Sequence, residues 1–179
     1  MKKYLSNDTV SLRAIEPEDI ELLYTWENDP GIWEVSHTLV PYSRYILALY
    51  IKNADKDIYE SKQLRMMIDE PGGRTIGAVD LFDFDPFHLR AGIGLLIYNH
   101  QDRSKGYASA ALELIITYGF NKLNIHQLYV NVESGNNISI ALFEKHSFKI
   151  CGIKKDWLRY GSGWKDEIMM QLMSNGIDG

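Results

Sequence analysis

The chain has 179 residues, 45% of them hydrophobic and 24% charged, which suits one globular domain that folds without disulfides or metal ions. Its formal net charge of −5 argues against nucleic acid as a partner, and no apolar run approaches the ~18 residues of a membrane span. The only cysteine, Cys151, cannot form an internal disulfide, so we expect a cytoplasmic protein without a membrane partner.

The first part of the chain predicts one short strand and two helices. Residues 10–13 form the strand, and residues 16–19 open a helix because proline suits the first helical turn and acids suit the positive end of the helix dipole. The run Asn-Asp-Pro-Gly at 28–31 predicts a break. A second helix follows at 42–53, where apolar residues recur with helical spacing.

The rest of the chain predicts an antiparallel meander followed by alternating helices and strands. The predicted strands are 64–69, 75–84, 89–97, 128–132, 148–157 and 165–173, and the predicted helices are 106–121 and 138–146. A strand–helix–strand unit late in the chain predicts one parallel pair. We therefore expect a single α/β (α+β) domain over residues 1–179, with a mixed, mostly antiparallel central sheet and helices on both faces.

The segment from Gln101 to Ala108 is the strongest candidate for a binding loop. It enters a predicted helix, whose first N–H groups lack backbone partners and attract anions. Gly106 allows close approach of a ligand, and Arg103 and Lys105 add positive charge. By itself the segment is equally compatible with an ordinary polar loop, because neither common nucleotide signature is present.

Two motifs in order resemble the GNAT family of N-acetyltransferases. The first is Arg103-x-x-Gly106-x-Ala108 after the apolar strand, which resembles the acetyl-CoA signature. The second, from Asn136 to Phe148, reads Asn-x-x-Ser-x-x-Leu-Phe-Glu-Lys-x-x-Phe and is similar to a segment found downstream in that family. Within the family, the stretches 76–81 and 123–129 are most similar to spermidine and diamine N-acetyltransferases.

The resemblance implies that two parallel strands splay apart and hold acetyl-CoA as cosubstrate, with no metal. A strand N–H near Leu96 is the expected donor to the oxyanion. Asn136 would contact the pantetheine arm, although an N-cap role suits it equally. The expected acetyl-CoA contacts are backbone groups of Leu95, Leu96 and Ile97, the loop Arg103, Ser104, Lys105, Gly106, Tyr107, Ala108 and Ser109, and the side chains of Asn136 and Phe143.

The sequence departs from the family at both usual acid–base positions. Gly92 stands where a glutamate is common, and Phe143 stands where a tyrosine is common. Asp80 and Asp83 are the candidate catalytic carboxylates, and strand alternation predicts that Asp83 and Asp85 share one face while Asp80 lies on the other. Each is also compatible with a solvated strand end. His88, His126, Tyr107 and Tyr129 are weaker candidates.

The acceptor site is expected near Trp33, Glu34 and Asp80, because aromatic rings and carboxylates suit an alkylammonium group. Trp33 is equally compatible with a structural anchor. We expect transfer of an acetyl group to a small-molecule primary amine by direct attack in a ternary complex, with a polyamine as the acceptor that the resemblance suggests. Alternatives are a protein N-terminus, an amino sugar, a non-catalytic acyl-CoA-binding module, or a domain that binds another phosphate compound. The resemblance also implies a homo-oligomer, a dimer or larger.

Overall fold

The computed structural model describes residues 2–36 and 38–174, and its seven strands form a single open sheet. The strands are β1 Ser11–Ala14, β2 Leu64–Asp69, β3 Thr75–Asp85, β4 Arg90–Ile97, β5 Gln127–Glu133, β6 Lys149–Tyr160 and β7 Gly163–Met173. Their spatial order is β1-β2-β3-β4-β5-β7-β6, and every neighbouring pair is antiparallel except β4–β5. The predicted mixed, mostly antiparallel sheet is confirmed.

Seven α-helices are found in the described part of the chain. They are α1 Lys2–Leu5, α2 Ile20–Glu27, α3 Pro30–Ser36, α4 Arg44–Lys52, α5 Ile58–Ser61, α6 Tyr107–Asn121 and α7 Asn137–Lys145. Short 3₁₀ turns at Pro17–Asp19 and His100–Asp102 precede α2 and α6. No described helix combines the length and the apolar character that crossing a bilayer requires.

The predicted break at 28–31 does end α2, but it also starts α3, which the sequence analysis missed. Pro30 is the first residue of α3, a position where its missing N–H costs nothing. The Asp29 carboxylate accepts a hydrogen bond from the Gly31 N–H at 2.8 Å. The segment 28–31 therefore ends one helix and begins the next. The four-residue helices α1 and α5 were also missed, since they are too short to show helical periodicity.

Side-chain alternation along the strands separates two hydrophobic cores, one on each face of the sheet. In β2, Ile68 packs into the larger core with α6 and α7, while its neighbour Met67 packs into the smaller core with α2 and α4. In β3, Val79 likewise packs into the larger core and its neighbour Ala78 into the smaller one. The helices thus cover both faces, as predicted, and the α2–α4 layer forms a cleft over β2 and β3.

A bulge in β3 overturns the predicted placement of the aspartates. Phe82 pairs with Gly92, but the next registered pair is Asp85 with Arg90, so β3 has one residue more than β4 over this stretch. Asp83 occupies the bulge with a φ of +49°. The extra residue returns Asp85 to the face that carries Asp80 and Phe82, whereas uninterrupted alternation placed it opposite.

The parallel strands β4 and β5 separate after a short paired stretch. Their register runs from Arg90–Gln127 to Gly92–Tyr129 and stops there. β4 continues to Ile97 and β5 to Glu133 without pairing to each other, which leaves a V-shaped gap between the two strands. The expected splay is confirmed, and its apex lies at Gly92 and Tyr129.

Candidate functional site

The open edge of β4 presents backbone groups to the gap at alternate residues. Tyr98 donates its N–H to the Ile76 carbonyl at 3.0 Å, which fixes the hydrogen-bonding ladder between β3 and β4. Strand alternation then turns the backbone of Leu96 toward β3 and that of Leu95 and Ile97 toward the gap. Of the three predicted residues, Leu95 and Ile97 therefore turn their backbone groups toward the gap, while their contact with CoA and the oxyanion donor near Leu96 stay predictions.

The loop from Arg103 to Gly106 bends sharply into α6. Ser104 has a φ of +62° and Gly106 has a φ of +86°, and Gly106 caps the helix. The first helical hydrogen bond runs from the Ala110 N–H to the Gly106 carbonyl at 2.9 Å. Within the described residues, the N–H groups of 104–109 donate to no protein acceptor, and those of 107–109 lie in the first turn of α6, at the positive end of the helix dipole.

Arg103 makes several hydrogen bonds within the protein, and its predicted contact with CoA stays a prediction. Its N–H donates to the His100 carbonyl at 3.2 Å, and its guanidinium Nε donates to the Ile97 carbonyl at 3.2 Å. A further guanidinium nitrogen reaches the Tyr98 carbonyl at 3.3 Å. Arg103 therefore ties the loop to the end of β4, and its backbone amide does not belong to the free set at 104–109.

A buried carboxylate beneath the loop was missed by the sequence analysis. Asp102 is 3% exposed and accepts two hydrogen bonds from Arg74, at 2.8 and 2.9 Å, and one from Lys105 at 3.3 Å. The hydrogen bonds from Arg74, followed by those from Lys105, hold the pKa of Asp102 well below its usual range. Arg74 lies in the turn before β3, so no local pattern could have linked it to this loop.

Side chains from α7 approach the same helix terminus. Ser109 Oγ lies 2.8 Å from His146 Nε2 and accepts a hydrogen bond from Lys145 Nζ at 3.2 Å. Burial, and then the charge of Lys145, lowers the pKa of His146. Lys145 therefore adds a cation beside the anion-attracting end of α6, a role that the motif alone did not indicate.

Asn136 and Phe143, the two motif positions at α7, both make contacts that stabilise the fold. Asn136 Oδ1 accepts a hydrogen bond from the Ser139 N–H at 3.1 Å, which confirms the N-cap alternative. Phe143 is 4% exposed and packs edge-on against Phe148, with ring centroids 5.1 Å apart. A pantetheine contact for either residue stays a prediction.

A cleft of about 410 Å³ opens on the face of the sheet that carries α2 and α4. A second cavity of about 210 Å³ adjoins β4 at Gly94, Leu95 and Leu96. The residues that line both are Glu27, Arg65 and Asp80. This charged group therefore connects the open cleft with the strand edge that borders the gap.

Asp80 is the predicted site residue that the structure places most centrally. It lies opposite Arg65 in the β2–β3 register, and the guanidinium binds both carboxylate oxygens, at 2.7 and 3.1 Å. Arg65 also donates to Glu27 Oε1 at 2.6 Å. Burial tends to lower the pKa of Arg65, but the charge and hydrogen bonds of Asp80 outweigh it and leave that pKa raised. Glu27 and Arg65 were not predicted, since neither belongs to a motif.

The aromatic ring of Phe82 occupies the space into which a side chain at position 92 would extend. A Cβ built on Gly92 would collide with the ring of Phe82 on the neighbouring strand. Phe82 also makes an edge-to-face contact with Tyr129, at 6.1 Å between ring centroids. A glutamate at position 92 is therefore sterically incompatible with this packing.

The remaining predicted acid–base residues lie farther from the cleft. Asp83 is exposed at the bulge and, after burial, helps to raise the pKa of Tyr129. His88 and His126 precede β4 and β5, so they lie at the end of the sheet opposite the gap. Tyr107 donates its hydroxyl to Glu70 at 3.3 Å. The structure does not bring these side chains together with Asp80.

Of the two predicted acceptor residues in α3, only Trp33 has a described side chain. Trp33 donates its indole N–H to the Glu27 carbonyl at 2.6 Å, which favours the anchoring role, and it is not among the residues that line the two cavities described above. Glu34 lies within α3, but its side chain is outside the described part of the structure. Ile32 and Ser36 of the same helix do line the smaller cavity.

Comparison with known proteins identifies related chains. A family model described as an acetyltransferase (GNAT) domain matches residues 9–149. The spermidine N(1)-acetyltransferase of Escherichia coli K12 is 29% identical over 149 residues, which are 82% of this chain and 76% of that protein. An uncharacterized N-acetyltransferase, p20, of Bacillus licheniformis is 27% identical over 179 residues, 98% of each chain.

Solved structures share the architecture. Spermidine N-acetyltransferase of Vibrio cholerae, crystallised with CoA and spermine, aligns with a TM-score of 0.83 at 23% identity, over 93% of this chain and 96% of that one. A dodecameric structure of spermidine N-acetyltransferase from the same organism aligns with a TM-score of 0.76 at 22% identity, over 93% and 95%. At this level of identity the likeness establishes the fold.

Proposed function

This chain belongs to the GNAT acetyltransferases and is an N-acetyltransferase, and we propose that it transfers the acetyl group of acetyl-CoA to a primary amine bound in the cleft beside Asp80 and Glu27. The observation that carries the proposal is the continuity of the site. A gap lined by free strand-edge groups, closed at one end by free helix amides, adjoins a cleft that contains two carboxylates.

The gap between β4 and β5 supports binding of the pantetheine diphosphate. Pantetheine has two amides, which pair with an open strand edge as an added strand does, here with the backbone groups of Leu95 and the N–H of Ile97, whose carbonyl already accepts from Arg103. The diphosphate requires hydrogen-bond donors and positive potential, and the N–H groups of 104–109 provide both. Lys145 and Lys105 add cations at the same end.

Asp102 is expected to position this loop for the diphosphate. In an Asp102→Asn variant, Arg74 and Lys105 lose their shared anionic partner, so the loop should loosen and the Kd for CoA should rise roughly tenfold. Isothermal titration of CoA measures the change. A matched control is Asp166→Asn, which removes a carboxylate that also binds a lysine but lies in β7. Equal CoA affinity in wild type and Asp102→Asn would contradict the assignment.

The proposed reaction is direct attack of the neutral amine on the thioester. A nitrogen–carbon bond forms, the carbon–sulfur bond breaks, the amine gives up a proton, and the CoA thiolate leaves and is protonated by solvent. Because an alkylammonium ion has no free lone pair at neutral pH, a base must remove one proton before attack. A backbone N–H of β4 that faces the gap supports the oxyanion.

Asp80 is our proposed proton acceptor, rather than Asp83. Its Oδ2 lies 3.6 Å from the position of a Cβ built on Gly94, so it is close to β4 where the smaller cavity reaches the strand. Asp83 lies outside that cavity at the exposed bulge, beside Tyr129. The guanidinium of Arg65 occupies part of the Asp80 carboxylate and fixes its orientation, which leaves the remaining lone pairs for the acceptor.

A thiol-release assay tests the proposed function. Acetyl-CoA is supplied with alkylamines, polyamines, amino sugars and peptide N-termini, and free CoA thiol is measured with and without each amine. We expect amine-dependent thiol release at a rate that saturates with both substrates. A thermal shift with CoA but no thiol release with any of these amines would favour the non-catalytic acyl-CoA-binding alternative, to which Gly92 and Phe143 point.

A further inference from the structure

The geometry of the cleft points to Arg65 as the residue that limits the acceptor to amines with a single positive charge. This inference rests on the proposed function and narrows its substrate class, because it separates monoamines from diamines and polyamines at the same site. It concerns how many ammonium groups the cleft accommodates.

Arg65 uses three nitrogens on the two carboxylates that line the cleft. Nε and one terminal nitrogen bind Asp80, and the other terminal nitrogen binds Glu27. The side chains are 19–25% exposed, so the three charges interact through a medium less polar than bulk water. One carboxylate charge is therefore already neutralised before any acceptor binds.

The remaining charge of the cleft is one negative unit. Among the described residues that line either cavity, Glu27, Asp80 and Arg65 are the only ones with formal charge at neutral pH. One ammonium group balances that charge. A second ammonium in the cleft would face Tyr42, Ile46 and Phe82, where it finds no second anionic partner.

The mouth of the cleft is apolar, so it favours an amine whose remaining part is uncharged and apolar. Ile46 of α4 is 49% exposed and Tyr42 is 38% exposed, and both line the cleft. These side chains offer contact to an alkyl or aryl group that extends outward from the bound amine.

Butylamine and putrescine provide a matched test, since they share a four-carbon chain and differ by one amine. We expect wild type to acetylate butylamine with a kcat/KM about tenfold above that for putrescine, the size of one unbalanced charge interaction. Arg65→Gln should abolish or reverse this preference and make activity on spermidine measurable. Arg65→Lys keeps the charge and should keep the preference. Lys155→Gln, which removes a cation from an exposed ion pair in β6, should behave as wild type.

A second variant makes the test independent of the folding of Arg65→Gln. Gln63 is exposed and lines the same cleft, so Gln63→Glu adds one negative charge while Arg65 stays in place. It should raise kcat/KM for putrescine relative to butylamine. Equilibrium dialysis of each amine in the presence of CoA measures its affinity, and Gln63→Glu should raise the affinity for putrescine relative to that for butylamine.

The outcomes separate this inference from the proposed function. If wild type acetylates putrescine or spermidine at least as efficiently as butylamine, or if neither Arg65→Gln nor Gln63→Glu changes the ratio, the role of Arg65 is overturned while the acetyltransferase stands. If wild type releases no thiol with any amine, amine acetylation itself is overturned, and the inference with it.

Discussion

Replacing Asp80 with asparagine is expected to lower kcat/KM for amine acetylation by about 10²–10⁴-fold, the usual contribution of a positioned general base. Asparagine preserves the size of the side chain and one acceptor oxygen for Arg65, but it neither attracts an ammonium group nor takes its proton. The Kd for CoA should be unchanged, because Asp80 lies on the acceptor side of β4. Steady-state thiol release and CoA titration measure the two effects separately.

Asp83→Asn is the matched control for this experiment, since it makes the same substitution in the same strand at the exposed bulge. It should reduce kcat/KM less than Asp80→Asn does. A larger loss of kcat/KM in Asp83→Asn than in Asp80→Asn would indicate that Asp83, which adjoins Tyr129, is the proton acceptor. Thermal unfolding of both variants shows whether any loss reflects instability, because Arg65 would retain Glu27 as its only full anionic partner in Asp80→Asn.

Substitution of Gly106 by alanine should weaken CoA binding by roughly ten- to a hundredfold. Gly106 has a φ of +86°, a conformation that costs an L-residue about 1–3 kcal/mol, and tenfold in affinity corresponds to about 1.4 kcal/mol. The open space around its Cβ position excludes a steric clash, so the effect comes from the backbone alone. A loop that relaxes to negative φ would move the N–H groups of 104–109 away from one another.

Gly161→Ala is the control for backbone strain, because Gly161 also has a positive φ, +57°, and also has no neighbour within 4 Å of its Cβ position. It lies between β6 and β7, away from the gap. Both variants should lose stability in thermal unfolding, but only Gly106→Ala should lose affinity for CoA in titration. Comparable CoA affinity in the two variants would show that the loop tolerates a left-handed alanine and that its amides do not depend on glycine.

The features that could be predicted from the sequence are those that depend on residues close together in the chain. The Gly106 loop, the N-cap of α7 by Asn136 and most strand bounds follow from residue types within a few positions of one another. These predictions succeeded because each depends on local dihedral preferences and on side-chain periodicity, which are properties of a short segment.

The acceptor side could not be predicted in the same way. The bulge at Asp83 moves Asp85 to the other face of the sheet. The local sequence does not predict this bulge, because Asp83 is not a glycine and yet has a positive φ. The pairing of Arg65 with Asp80 depends on the β2–β3 register, and Glu27 joins it from a helix packed across the sheet. Arg74 reaches Asp102 in a similar long-range manner.

By itself, then, the sequence determined that a strand, a sharp loop and a helix follow one another from β4 into α6, with a second helix capped by Asn136 downstream. Only the tertiary structure decided that Arg65 neutralises one of two carboxylates in the acceptor cleft and that Phe82 fills the space above Gly92. The physical reason is that local preferences act through a few bonds, whereas charge pairing and steric exclusion in a cleft depend on which distant residues the sheet register and helix packing bring within a few ångströms.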